Sequence, residues 1–228
     1  MADPSRLDQL GEVAAARIED GMTVGLGSGA TAEAFIRALG RRVATGLSVV
    51  GVATSVRTAM LANGLGIPLR GLDQTPLLDL VVDGADEVDP DLNLIKGLGG
   101  ALLREKIIAL AGRRYLIIVA SEKLVPRLGT RARLPIEVIP FAWESTAARL
   151  RGLGLETYLR VPTGEREPFM TDGGHVILDG VIPDEPDIRV LSRAIKEVVG
   201  VVEHGVFAGM ADEILVVDPA AQIRSIRR

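Results

Sequence analysis

Several stretches of this chain share one local grammar: a short, almost unbroken apolar run, a turn of glycine or small polar residues, and a segment with helical periodicity. TVGL from Thr23 runs into GSGATAEAFIRAL, LSVVGVATS leads to a helical segment from Val56 to Asn63, LLDLVVDGAD stops at an acidic turn, and YLIIVAS follows a helical segment from Leu102 to Leu110. Strands that are apolar throughout, instead of alternating, are buried on both faces, which implies a parallel sheet with helices on either side. The fold class read from this pattern is α/β, with a parallel sheet covered on both faces. A covering helix precedes the sheet, with Leu7, Leu10, Val13, Ala14 and Ile18 at helical spacing, Ser5 as its cap and Gly21 as its stop.

From Leu134 the alternation breaks down. PIEVIPFA reads as a strand, Trp143 to Leu150 as a helix, LETYLRV as a strand, FMTDGGHVILDG as a hairpin turning at Gly173 and Gly174, and Ile188 to Val199 as a helix. This mixture predicts a second, smaller α+β domain. The apolar strand in GVFAGMADEILVVDP is placed back on the first sheet. The expected division is a parallel-sheet domain of residues 1–132 plus 204–228 and a small domain of 133–203.

The 228 residues are 47% hydrophobic, enough for a substantial core. A net charge of -4 lacks the basic surplus that phosphate-backbone binding needs, so nucleic acid is not an expected partner. With no cysteine, thiolate nucleophiles and sulfur-ligated metals are excluded, and His175 and His204 are too few for most metal cages. The acidic first twenty residues do not resemble a signal peptide, and no apolar run approaches bilayer length. The expectation is a soluble, cytoplasmic protein without a membrane partner.

Three segments carry residues suited to chemistry. The loop from Gly25 to Thr31 sits where a strand meets a helix amino terminus, whose free N–H groups and dipole attract an anion, with Ser28 and Thr31 adding hydroxyls. The same residues also suit a plain strand-to-helix turn, or half of a dinucleotide fingerprint, although no acidic residue ends the next strand to hold a ribose. Thr54 and Ser55 there could touch polar substrate groups or simply cap a helix.

Asp83 and Asp86 close an apolar strand at its carboxyl end, where open α/β sheets bind ligands. A solvated turn explains them equally well, calcium less so because the EF-hand spacing is missing. Glu87, Asp89 and Asp91 read as surface. Lys96 precedes glycines at 97, 99 and 100, and a lysine beside backbone N–H groups can stabilise a developing oxyanion. Glu105 follows on a helix, either as a general base, if its surroundings raise its pKa from about 4.3, or as one half of a helix-face ion pair. Lys123 ends another strand and is either a phosphate contact or a solvated side chain. His204 reads as structural.

In this order, GLGSGATAEAFI, VVDGADEVDP, KGLGGALLREKI, SEKLV, LPIEVIPFAW, TDGGHVILD and VVGVVEHGVF resemble the ribose 5-phosphate isomerase A family over nearly the whole chain. The resemblance implies a Rossmann-like domain carrying a smaller, ferredoxin-like α+β domain, and an aldose-ketose isomerase of the non-oxidative pentose phosphate pathway, working without metal or cofactor on a small sugar phosphate, as a homodimer or homotetramer. Carried onto matching positions, Glu105 is the base that shuttles a proton between C1 and C2, Asp83 and Asp86 assist ring opening and hydroxyl proton transfer, and Lys96 with the amides after it steadies the anionic oxygen. Substrate contacts are implied for Ser28, Gly29, Ala30, Thr31, Asp83, Gly84, Ala85, Asp86, Lys96, Gly97, Leu98, Gly99 and Lys123, with Thr31 and Lys123 chiefly on the phosphate. Two positions depart from the family pattern. Leu98 stands where the lysine loop usually has glycine, which would carry a penalty if that position needs positive φ or close ligand contact. Ala30 lacks a hydroxyl common in the first loop. Altered affinity, not a different reaction, is the expectation. Rival readings are a sugar-phosphate sensor and a coenzyme A transferase-like enzyme with a glutamate nucleophile.

Overall fold

The computed structural model describes residues 3–183 and 187–227. In chain order its elements are α1 (Pro4–Ala15), β1 (Thr23–Leu26), α2 (Ala30–Ala44), β2 (Val50–Ala53), α3 (Val56–Gly64), β3 (Leu80–Asp83), β4 (Glu87–Val88), β5 (Leu94–Ile95), α4 (Leu102–Ala111) and β6 (Tyr115–Ala120). There follow β7 (Leu134–Val138), α5 (Trp143–Gly152), β8 (Glu156–Leu159), β9 (Val176–Val181), α6 (Ile188–Lys196), β10 (Val201–His204), β11 (Val206–Phe207), β12 (Glu213–Val217) and β13 (Ile223–Arg227). They form two compact units, one of Met1–Ala85, Arg104–Leu124 and Gly209–Arg228, the other of Asp86–Leu103 and Val125–Ala208.

The first unit carries a six-stranded sheet in the order β13-β12-β6-β3-β1-β2, parallel except for the antiparallel edge strand β13. Every residue of β3, β6 and β12 is buried, as the unbroken apolar runs required. After β1 the chain steps to β2 on one side, then returns to place β3 on the other. The ends of β1 and β3 therefore flank the point where the winding reverses, the usual ligand position in such sheets. Phe35, Ile36 and Leu39 of α2 are fully buried, each contributing roughly 1.5–3 kcal/mol relative to an exposed side chain. Gly11 lets α1 lie against α2, since a Cβ there would stand 2.6 Å from the carbonyl carbon of Ala34.

The helix α1 is shorter than its apolar spacing suggested. Its cap is Asp3, whose carboxylate accepts the Ser5 N–H at 3.0 Å, with Pro4 in the first helical position, and it ends at Ala15. Ile18 stays in the core from a turn beyond the helix, so burial rather than helical continuation explains its position.

The second unit contains β7-α5-β8-β9-α6-β10, a ferredoxin-like order whose antiparallel sheet runs β10-β7-β9-β8. Ile136, Val138, Leu150, Leu178, Leu191 and Ile195 form its core. Of the expected hairpin, the strand before the turn reduces to a single bridge, Met170 to Val176, with Gly174 at φ 77° in the turn. Residues 86–103, 125–132 and 204–208, assigned from the sequence to the Rossmann-like domain, group with this unit. There β4 and β5 pair with β11 in a small antiparallel sheet of two-residue strands too short to be legible as a pattern.

Glu87 corrects the reading of the acidic turn as surface. It is 1% exposed, and its carboxylate accepts N–H groups from Gly129, Arg131 and Ala132 at 2.5 to 2.7 Å, tying a distant loop to β4. Asp89 closes the turn locally, accepting from the backbone of Asp91 and Asn93. His204 is structural, with Nδ1 accepting the Val206 N–H and Nε2 3.2 Å from Ser192 Oγ. Among the described residues no helix is long and apolar enough to cross a membrane.

At the start of β12, buried Glu213 accepts hydrogen bonds from Ser225 Oγ at 2.8 Å and from Arg227 at 3.3 Å, with Arg17 and Arg114 at 3.4 and 3.5 Å. Burial pushes its carboxyl up, but Ser225, Arg227 and Arg17 outweigh that and hold it below the ordinary glutamate range. A carboxyl that titrates lower when folded stabilises the fold above its unfolded pKa, and this contribution fades as pH falls through the folded value. Glu213→Gln should lower stability in urea at pH 7 by about 1–3 kcal/mol. Repeated in acid, below the usual carboxylate range, the same titration should show the two proteins converging.

Candidate active site

In the first unit the candidate residues gather where the parallel strands end. Gly25 is required by packing: a Cβ there would stand 2.8 Å from Val81 and 2.9 Å from Ile108 of α4. Gly27 continues the ladder by donating its N–H to Val82 at 2.9 Å, and a Cβ at that residue would fall within the side chain of Asp83. Asp83 is fully buried, and its Oδ1 accepts the N–H groups of Ser28 at 3.1 Å and Gly84 at 2.8 Å. One carboxylate oxygen thus fixes two loops, the one after β1 and the one after β3.

The next residue, Gly29, adopts φ 90° and serves as the N-cap of α2 without a capping side chain. The first N–H groups of that helix are consequently presented at the strand ends, as an anion site requires. Thr31 lies in the same place, its Cβ 3.8 Å from where a Cβ of Gly84 would be. Lys123 is half-buried in a 3₁₀ turn, Ser121–Lys123, directly after β6.

Ser28 has a structural role in the loop. Its Oγ lies 2.8 Å from the hydroxyls of Thr54 and Ser55 and 3.1 Å from that of Thr58. Thr58 and Thr54 in turn donate to the carbonyls of Gly27 and Leu26. The Ser28 hydroxyl is therefore the hub of a cluster that holds the loop from below. Ser55 caps α3 by accepting the Thr58 N–H at 3.1 Å. Thr58 escaped the sequence reading because a threonine one turn into a helix carries no signal of its own.

Glu105 occupies the first turn of α4 and is 4% exposed. Ile108, one turn later, packs on Gly25, and Ala111 bonds to Leu78 at the opposite end of the sheet. Glu105 therefore stands at the level where β1 ends.

In the second unit, Lys96 follows β5 with its N–H donated to Gly205 at 2.9 Å, its side chain 2% exposed and its ammonium 5.6 Å from the centroid of the Phe207 ring. Asp86 receives the Leu98 N–H on Oδ2 at 2.9 Å, while its own N–H goes to Ile95. Positive φ in this loop is carried by Gly97 (101°) and Gly100 (84°). Leu98 is not among the positive-φ residues and is 46% exposed, so the feared strain does not arise and its side chain is directed to solvent. Ala30 is exposed in the first turn of α2.

A buried glutamate beside the carboxyl ends of parallel strands, with a glycine-capped helix amino terminus and a lysine at neighbouring ends, defines an α/β enzyme equipped to move protons on a small anion. Comparison with known proteins makes the class specific. The family model for ribose 5-phosphate isomerase A (phosphoriboisomerase A) matches residues 50–220. Ribose-5-phosphate isomerase A of Thermomicrobium roseum is 51% identical over 89% of this chain and 86% of its own. A solved ribose 5-phosphate isomerase A from Methanocaldococcus jannaschii is 34% identical with a TM-score of 0.94, covering both chains fully. A D-ribose-5-phosphate isomerase solved in complex with phospho-erythronic acid is 37% identical with a TM-score of 0.95, again over the whole of both chains. The chain belongs to the ribose 5-phosphate isomerase A family and interconverts D-ribose 5-phosphate and D-ribulose 5-phosphate.

Because a methyl group at residue 27 has nowhere to go but into Asp83, Gly27→Ala should displace both loops that Asp83 holds. A loss of about a hundredfold in kcat/KM is expected, measured by following ketose formation, with far-ultraviolet circular dichroism close to wild type.

Proposed function

We propose that Glu105 is the base of the isomerisation, working between C2 and C1 of the open-chain sugar. It removes the C2 proton of ribose 5-phosphate; the C–H electron pair becomes the C1–C2 double bond, and the carbonyl pair moves onto O1, giving an enediolate. Return of the proton to C1, with the O2 proton passing to O1 as the C2 carbonyl forms, completes ribulose 5-phosphate. The observation that carries this assignment is the burial of Glu105 at the level of the strand ends, which sets it apart from a solvated helix-face carboxylate.

In the same reading Lys96 and the amides after it stabilise the anionic oxygen, a contribution worth roughly 3–4 kcal/mol per well-placed donor. Asp83 and Asp86 assist ring opening and the hydroxyl proton transfers. Thr31, Lys123 and the α2 amino terminus from Ser28 to Ala30 take the phosphate, and Gly84, Ala85 and Gly97 to Gly99 line the sugar. The relative solved with phospho-erythronic acid supports this, because the planar carboxylate of such an acid imitates the charge of an enediolate while keeping the phosphate. The enzyme acts in the cytoplasm, in the non-oxidative pentose phosphate pathway. It works as a homodimer or homotetramer, a reading supported by the exposure of Leu110, Phe141 and Val199 and open to light scattering coupled to gel filtration.

Glu105→Gln keeps the shape of the side chain and removes its basicity. Turnover should fall by a factor of 10² to 10⁴, while phospho-erythronic acid binding measured by calorimetry persists. A variant with near-wild-type kcat would remove Glu105 from the mechanism. Lys123→Ala, with its phosphate contact gone, should instead raise KM and leave kcat much less affected.

A further inference from the structure

The lysine-glycine loop has a weakness built into its composition. Gly97, Gly99 and Gly100 let a substrate come close to the backbone, but a peptide unit flanked by glycine can rotate through half a turn at little conformational cost. Such a flip would exchange an N–H for a carbonyl oxygen, and a carbonyl facing a developing oxyanion repels it.

Arg160, just after β8, bears on this loop directly. One terminal nitrogen of its guanidinium donates to the carbonyl of Gly97 at 3.0 Å and to that of Leu98 at 2.9 Å. The other two nitrogens grip the Asp179 carboxylate, Nε at 2.9 Å, and both side chains are largely buried. Phe169 completes the support. Its ring lies 5.9 Å from the Arg160 guanidinium and occupies the space a Cβ of Gly100 would need, and its N–H bonds to the Arg160 carbonyl at 2.9 Å.

In a trans peptide the C=O and the following N–H point in opposite directions. Holding the Gly97 carbonyl therefore aims the Leu98 N–H the other way, where Asp86 accepts it at 2.9 Å. That peptide is pinned at both ends. Holding the Leu98 carbonyl likewise turns the Gly99 N–H away from Arg160. The cationic guanidinium also polarises both amides, which strengthens them as donors.

We infer that Arg160, locked by Asp179, is the positioning residue that fixes the peptide orientation of the 97–99 loop and so sets the Gly99 N–H for the anionic oxygen. This rests on the role proposed above for Lys96 and the amides that follow it. Arg160 itself need not touch the sugar. Lysine cannot replace it, because one ammonium cannot hold two carbonyls and fork onto a carboxylate.

The test compares Arg160→Lys, Arg160→Gly and Lys96→Met. In Arg160→Lys, kcat per folded molecule should drop on the order of a hundredfold, the size expected for one misdirected oxyanion donor, with KM near wild type. Guanidinium ion added in solution should restore some of the lost turnover of Arg160→Gly and do nothing for Lys96→Met. If Arg160→Lys does not fold, Asp179→Asn, which leaves the guanidinium present but unlocked, carries the same expectation. Wild-type kcat in Arg160→Lys, or a loss accounted for wholly by a smaller folded fraction, overturns the positioning role. Wild-type kcat in Lys96→Met would instead sink the role given to the loop, and the inference with it. The two failures are thereby told apart.

Discussion

The buried carboxylate of Asp83 is the interaction on which the first unit's site depends. Placing an acidic group at the end of a fully buried strand is unfavourable unless its oxygens find donors, and Oδ1 finds two in the backbone of Ser28 and Gly84. Those two bonds shape the loops after β1 and β3 together. They also explain Gly27, whose missing side chain leaves the room that Asp83 fills. The amino terminus of α2 then starts from a fixed point, and its glycine cap leaves the N–H groups for a ligand instead of a side chain.

The second unit solves a related problem by other means. Charged side chains hold its glycine loop: Asp86 accepts from a loop N–H, Arg160 donates to two loop carbonyls, and Phe169 fills the gap at Gly100. Glu87 acts in the same way from β4, gathering three N–H groups of residues 129–132. In both units a buried carboxylate substitutes for missing ladder bonds. That is why these acids are retained in places where an isolated charge would be expelled.

Much of this was legible in the residues. Unbroken apolar runs can only be central parallel strands, and the sheet order places their ends together, so the positions of Thr31, Asp83 and Lys123 followed from pattern and topology. The ordered motifs, above all DGADE followed by KGLGGALLREKI, carry the family resemblance in the sequence itself. Less legible was the use of individual hydroxyls: that of Ser28 is the hub of a cluster with Thr54, Ser55 and Thr58. Glu87 looked solvated because acidic turns usually are. Arg160 gave no signal at all, since its partners at residues 97, 98 and 179 are distant in sequence.

The sequence by itself determined the fold class, the family and the reaction, because apolar periodicity and contiguous motifs are local properties of the chain. Tertiary structure alone decided which polar side chains hold the backbone and which are left to meet a ligand. That distinction depends on donors and acceptors brought together across tens of residues, where a hydrogen bond requires placement to within a few tenths of an ångström and linear spacing carries no such information.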